Sequence, residues 1–171
     1  MDDDPFAGSQ ISREPFTDEI DVAIIGGGFS GMMAGAHLRK SGIDRFRIID
    51  SAGDFGGCWY WNRYPGAQCD IESHIYLPLL EDTDYIPREK YSFGGEIFEH
   101  CRRIGQHFDL YRATCFQTKV TGLEWNEATK RWIVRTNRKD AMKARFVIVA
   151  TGVGSKAKLP GIPGIQDFAG V

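Results

Sequence analysis

The sequence predicts an α/β domain with a mostly parallel sheet that is extended by a β-meander. Three observations carry this expectation. A βαβ unit runs from "DVAII" through a glycine turn and a stretch of helix formers to "FRIID". An acid, Asp50, closes its second strand. Later extended segments end in "RFVIVATG", which reads as a strand returning to the same sheet. Together they describe a Rossmann-like layout, incomplete at its carboxyl end.

Taken in order, residues 1–19, "MDDDPFAGSQISREPFTDE", are acidic, proline-containing and aperiodic, and they predict a mobile arm. Residues 20–153 form the predicted domain. Its first strand breaks at Gly26 to Gly28, and the following helix carries Gly31, Ala34, Gly35 and Leu38 at i, i+3, i+4 and i+7. That face is nearly bare backbone, suited to lying close on a sheet. The helix stops at Ser41-Gly42. A second helix is predicted from Glu96 to Phe108, with Ile97, Cys101, Ile104 and Phe108 as its apolar stripe and Glu96, His100, Arg103 and His107 on a wetter side. Extended segments around two polar turns follow, ending in a buried-strand pattern at Phe146 to Ala150. Residues 154–171 carry Pro160 and Pro163, each followed by glycine, and read as a linker toward an absent domain.

Composition removes several classes of function. Lys plus Arg number 21 against 23 Asp plus Glu, so the net charge of -2 creates no field that gathers nucleic acid or anionic lipid. No apolar run approaches the roughly 18 residues of a membrane span. Cys58, Cys69, Cys101 and Cys115 form no C-x-x-C pair, and no secretory leader is visible, so a cytoplasmic setting is expected. No metal site is expected: His100 and His107 lie seven residues apart, about 10.5 Å along a helix, too far to share one ion. His74 stays open as a functional residue.

Gly26, Gly28 and Gly31 make G-x-G-x-x-G at the strand-to-helix turn, where side chains would block a pyrophosphate from the backbone and from the helix's first amides. Asp50 follows Gly26 by twenty-four residues, near the position that suits a ribose hydroxyl pair. A glycine-rich turn alone is ambiguous, but the flanking strands, the small-residue helix and the acid supply the context that the motif requires. After Asp50 the chain runs "SAGDFGGCWYWNRYPG", laying more glycine backbone and then Trp59, Tyr60, Trp61 and Tyr64. Such rings suit the walls of a flavin rather than a nicotinamide, although an aromatic core cluster would use the same residues.

The strings "GGGFSG", "GGCWYWNRYPGAQCDIES", "VATG" and "LPGIPG" together resemble the N-terminal FAD segment of Baeyer-Villiger monooxygenases, over about residues 20 to 171. W-Y-W-N-R-Y-P-G is the most specific of them. "Phe168-Ala169-Gly170" looks like the opening of that family's F-x-G-x-x-x-H-x-x-x-W fingerprint. By match, the resemblance implies that Gly26, Gly28 and Gly31, with Phe29 and Ser30, hold the FAD pyrophosphate. Asp50 and Ser51 take the adenosine ribose, and Gly57, Cys58, Trp59 and Trp61 flank the middle of the cofactor. Asp70 and Tyr76 stand by the flavin ring, Val120 meets the adenine through its backbone, and Ala150, Thr151 and Gly152 close over the ligand. Asp70 is the candidate catalytic residue, orienting an arginine from elsewhere in the protein, with a simple turn cap as its alternative role.

The same resemblance implies an FAD- and NADPH-dependent monooxygenase in which oxygen adds at flavin C4a and the peroxide attacks a ketone, giving an ester or lactone. The NADPH site lies mostly outside this chain, so these residues alone are expected to be inactive. Three departures stand out: Asp50 replaces a common glutamate, Cys58 a usual threonine and Gln68 a usual arginine. Two other readings stay open, an N- or S-oxidising flavin monooxygenase and a non-enzymatic nucleotide-binding module.

Overall fold

The computed structural model describes residues 4–154 and 160–170. In chain order the main elements are β1 (Glu19–Ile25), α1 (Phe29–Lys40), β2 (Phe46–Ile49), the single turns α2 (Cys58–Trp61) and α3 (Ser73–Tyr76), and α4 (Gly94–His107). Then come β3 (Thr114–Cys115), β4 (Val120–Asn126), β5 (Arg131–Thr136) and β6 (Ala141–Val149). The six strands form one sheet in the order β3-β2-β1-β6-β5-β4. β1 is paired in parallel with β2 and with β6, while β4, β5 and β6 are antiparallel. β6 therefore belongs both to the meander and to the parallel layer, which is the expected architecture.

Strands buried on both faces need apolar residues at every position rather than at alternate ones, and β1 supplies Val22, Ala23 and Ile24, all buried. One face carries Ile24, Met32, Phe46, Ile48, Phe55, Cys101, Ile104 and Leu110, packed between the sheet, α1 and α4. The other face carries Ala23, Ile49, Val134, Met142 and Ala144, with Phe16 laid against them. α1 comes close to the sheet because Gly35 has no side chain: a methyl there would sit 3.0 Å from Ile48 Cδ1 and 3.1 Å from Leu110 Cδ2.

Three expectations are corrected. Residues 1–3 lie outside the description, but residues 4–18 are not free of the domain; they run along it as an irregular strap. Arg13 makes a two-pronged contact with the buried Asp140 at 2.6 and 2.7 Å, and the Phe16 and Asp18 carbonyls accept the amides of Ala141 and Lys143. The net acidity hid Phe6, Ile11, Arg13 and Phe16, which supply the anchors. His100 is not on a wet side: it is fully buried, stacked on Tyr85 at 5.2 Å, and donates from Nε2 to the Pro78 carbonyl at 2.7 Å. Three residues from Ile97 and four from Ile104, it shares the apolar stripe, and polarity was a poorer guide than angle. Burial holds its pKa below the usual imidazole value, so it is neutral at pH 7. The β6 segment is less buried than its sequence suggested. Phe146 is 59% and Val149 65% exposed, because pairing with β5 ends at Ala144. In the segment read as a linker, residues 155–159 and 171 lie outside the description, and 160–170 are exposed.

Asp140 makes a pH prediction. Burial alone would raise its carboxyl, but Arg13, the Thr136 hydroxyl and the Phe16 amide outweigh it and hold the pKa at about 2, against 3.8 ordinarily. A depressed carboxylate stabilises the fold above its unfolded pKa and stops doing so as pH falls through its folded one. Asp140→Asn is expected to lower stability by about 2–4 kcal/mol at pH 7, with the gap closing between about pH 4 and pH 2. Urea melts of both proteins across that range check it.

Candidate functional site

The predicted glycine turn opens at the carboxyl ends of the parallel strands. β1 ends at Ile25, β2 at Ile49 and β6 at Val149, and the residues that follow each strand converge: Gly26, Asp50 and Ala150. Gly26 donates to the Ile49 carbonyl at 2.9 Å, and Ala150 to the Ile25 carbonyl at 2.8 Å. In open α/β sheets this end, between strands that diverge from a central one, is where ligands bind.

The turn is built by close backbone contact. Gly26 has φ +113°, a region side chains rarely enter, and a methyl there would lie 2.3 Å from the Ala150 carbonyl oxygen. A methyl on Gly31 would lie 1.8 Å from the Gly26 carbonyl oxygen. Gly28 differs. Its φ is an ordinary -78°, and a methyl on it would meet only Gly57, with Cα at 3.5 Å, otherwise pointing into open space. The two glycine loops, separated by almost thirty residues of sequence, therefore touch and form one floor of bare backbone. The first turn of α1 has no side-chain cap and no acidic residue, so its amide dipoles suit an anion. A dinucleotide pyrophosphate fits this cradle.

Asp50 performs a task that the sequence did not reveal. Its carboxylate accepts the Gly27 amide and, at 2.7 Å, the Ala52 amide, so it fastens the phosphate turn from behind. Burial raises its pKa, partly offset by those two bonds. Each carboxylate oxygen has a second lone pair, so a sugar hydroxyl can still be received. Ser30, Ser51, Cys58, Thr151 and Gly152 are exposed around this floor, and Val120 is half-buried at the start of β4. The Thr118 amide, two residues before Val120, donates to the Asp50 carbonyl at 2.8 Å.

The aromatic string divides into two groups. Trp59 donates from its ring N–H to the Tyr76 hydroxyl at 2.8 Å, and Phe29, the first residue of α1, packs on the Tyr76 ring at 5.2 Å. Phe29, Trp59 and Tyr76 thus form a wall continuous with the glycine floor. Tyr60 turns inward: it is buried against Trp61 at 5.0 Å and donates its hydroxyl to Asp4 at 2.6 Å. Burial and that bond push its pKa up to about 12. Tyr64 is 64% exposed and joins neither group. The core-cluster reading therefore holds for Tyr60, with Trp61 packed on it, and in part for Phe29, Trp59 and Tyr76, which are partly buried against Cys69, Leu77 and Ile97.

Asp70 is exposed on a backbone that is pinned on both sides. The Cys69 amide donates to the Ser92 carbonyl at 3.0 Å, the Ser73 amide to the Lys90 carbonyl at 2.7 Å, and the buried Ser73 and Ser92 hydroxyls pair at 2.8 Å. His74 lines a separate open cavity of about 680 Å³, with Leu77, Leu80 and Tyr85 among its neighbours. Among the described residues no group of three or more His, Cys, Asp or Glu could hold a metal, and no helix is long and apolar enough to cross a membrane. Asp4 and Arg13 were missed by sequence reasoning. The weak signal for them was apolar Phe6 and Phe16 inside an acidic stretch.

Residues 24–86 match the family model described as an NAD(P)-binding Rossmann-like domain. The chain is 56% identical over 167 residues to a Baeyer-Villiger monooxygenase of Streptomyces coelicolor, a match covering 98% of this chain and 28% of that protein. Among solved structures, the polycyclic ketone monooxygenase of Thermothelomyces thermophila aligns with a TM-score of 0.85 at 32% identity, over 96% of this chain and 28% of that one. OTEMO in complex with FAD and NADP aligns at 0.77 and 30% identity, over 87% and 29%. The chain thus spans 28 to 29% of the length of these relatives. Sequence and fold both agree with the resemblance carried by W-Y-W-N-R-Y-P-G.

The two kinds of glycine contact predict different losses. Gly31→Ala drives a methyl into a carbonyl and is expected to destabilise the fold by at least about 1–3 kcal/mol. Gly28→Ala is expected to change stability by no more than about 0.5 kcal/mol and to lose dinucleotide affinity, because its methyl stands in the cradle. Thermal melts beside ligand titration of the two variants separate these effects.

Proposed function

We propose that this chain is the N-terminal, FAD-binding part of a Baeyer-Villiger monooxygenase, and that the whole protein uses FAD, NADPH and O2 to insert oxygen beside the carbonyl of a ketone, giving an ester or lactone. The observation that carries the reading is the single surface made by the Gly28–Gly57 contact and the Phe29–Trp59–Tyr76 wall. A dinucleotide alone needs only the first; a flat ring beyond the pyrophosphate needs both. Residues 20–153 then constitute this part of the FAD domain, and residues 154–171 lead toward the NADPH domain.

When bound, FAD supplies the hydride acceptance and oxygen activation. The chain's residues bind and orient it. Gly26, Gly28 and Gly31, with Phe29 and Ser30 at the start of α1, hold the pyrophosphate through amides. Asp50 and Ser51 receive the ribose, and the Val120 backbone faces the adenine. Gly57, Cys58, Trp59 and Trp61 line the middle of the cofactor, Tyr76 stiffens Trp59 through their hydrogen bond, and Ala150, Thr151 and Gly152 close the near side. Asp70 projects from a fixed backbone to hold a cation contributed by the rest of the protein, which stabilises negative charge developing at the ring. A reducing, cytoplasmic setting suits the four free cysteines, three of them buried.

The test uses the full-length protein with NADPH, O2 and a cyclic ketone. Lactone formation is expected, and Asp70→Ala is expected to slow it by about 10²-fold with FAD still bound. Oxidation of amines or sulfides without any lactone would replace this reading by an N- or S-oxidising monooxygenase. A full-length protein that takes up no FAD would leave only a nucleotide-binding module.

A further inference from the structure

Besides its contacts with β6 through Phe16 and Asp18, the strap of residues 4–18 holds two loops that stand beside the proposed dinucleotide site. At its start, the Asp4 carboxylate accepts the Gly53 amide at 2.8 Å and the Tyr60 hydroxyl at 2.6 Å. Phe6 stands edge-on to Tyr60 at 6.0 Å, and the Arg63 guanidinium lies 4.1 Å from the centre of the Phe6 ring and 4.6 Å from that of Tyr60. Ala7 presses on Gly53, where an added methyl would come within 3.1 Å of the Ala7 Cβ. This end grips the segment between Asp50 and the Gly57 loop.

Further along, the Ile11 amide donates to the Gln117 side-chain oxygen at 2.9 Å, and the Gln117 side-chain nitrogen donates to the Ser9 carbonyl at 2.8 Å. Arg13 lies on Asp140 and reaches the Thr118 hydroxyl at 3.4 Å. The 116–119 segment is in turn tied to the acid loop, since the Gln117 amide donates to the Ala52 carbonyl and the Thr118 amide to the Asp50 carbonyl, each at 2.8 Å. Residues 50–53 are therefore held from both sides, by 117–118 and by Asp4, while one continuous strap joins the two.

We propose that Asp4 and Arg13 are positioning residues for the FAD adenosine. Through the strap they fix the Asp50–Gly53 loop against the 116–119 segment, so that the ribose acid and the Val120 backbone stand in register before the cofactor arrives. This rests on the FAD reading above. Neither residue faces the open side of the corridor; both act through the loops they hold. Preorganised loops lengthen residence more than they speed entry, so the expected signature is slow release of the cofactor.

The experiment compares full-length wild type with Asp4→Ala/Arg13→Ala. Release of FAD from the loaded protein, followed by recovery of flavin fluorescence on dilution, is expected to be faster by about tenfold or more. Amide hydrogen exchange of the apoprotein is expected to rise at residues 51–57 and 117–119 while the β1 amides keep their protection. The milder Asp4→Asn and Arg13→Lys serve where the double variant is poorly soluble, Arg13→Lys restoring part of the slow release. Arg131→Ala, which removes an ion pair with Glu19 on the strand beyond the strap, is expected to leave both readouts at the wild-type value. Unchanged release with unchanged exchange overturns the proposal. A wild type that never binds FAD overturns the functional reading instead, and the exchange experiment still decides whether the strap holds the loops.

Discussion

The constraint on which the rest of this structure depends is the approach of two pieces of backbone, the Gly26 carbonyl and the Gly31 Cα. No side chain can exist at Gly31 without displacing that carbonyl, and the carbonyl cannot move without disturbing Ala150, which itself presses on Gly26. The end of β1, the start of α1 and the end of β6 are thereby locked as one body. The helix amides then point at a fixed place. A looser turn would leave the same residues in the sequence but would scatter their dipoles, and an anion site made of dipoles depends on their alignment more than on their number.

Outside that body, a few buried or half-buried polar groups act beside the packing of Phe55, Cys69 and Leu77 to set the positions of the loops. Asp140 collects Arg13, Thr136 and the Phe16 amide; Asp50 collects Gly27 and Ala52; Ser73 pairs with Ser92. Each ties a loop to an element distant in sequence. Such groups add modest net stability, but an unmatched partner is costly when buried, so they select one loop arrangement over its neighbours. That is the economy expected of a site built on loops from a rigid sheet.

The sheet and helices were legible because their signals are local. β-branched runs, the 3.6-residue stripe through Ile97, Cys101 and Ile104, and the Gly26–Gly31 spacing all report on residues that meet within a few turns of chain. What was hidden depends on pairing across long separations. His100 looked wet because its polarity is local while its partners, Pro78 and Tyr85, come from a loop with no periodicity. The strap looked mobile because Arg13 finds Asp140 across 127 residues. Within the site, the close glycine turn and the place of Asp50 at the end of β2 could be read directly, but not the hold that Asp50 has on the Gly27 and Ala52 amides. The division of the string could not, with Tyr60 turned inward, Trp59 bonded to Tyr76 and Tyr64 exposed, since a tryptophan or tyrosine serves a core and a cofactor wall equally well.

The electrostatics of the acid loop also argue for which dinucleotide belongs here. Asp50 carries a buried carboxylate whose pKa is raised by desolvation and further by the nearby charge of Asp4. Negative charge is thus already expensive at this point, and it is tolerated only because the Gly27 and Ala52 amides face it. A ribose with free hydroxyls adds donors that an acid welcomes. A 2'-phosphate adds close to two negative charges where, among the described residues, no cation is bonded to Asp50, and the repulsion is magnified by burial. Under the proposed reading, Asp50 therefore favours the unphosphorylated adenosine of FAD over that of NADPH. In the proposed enzyme the two cofactors are kept apart by this one carboxylate as well as by the division of the chain into domains.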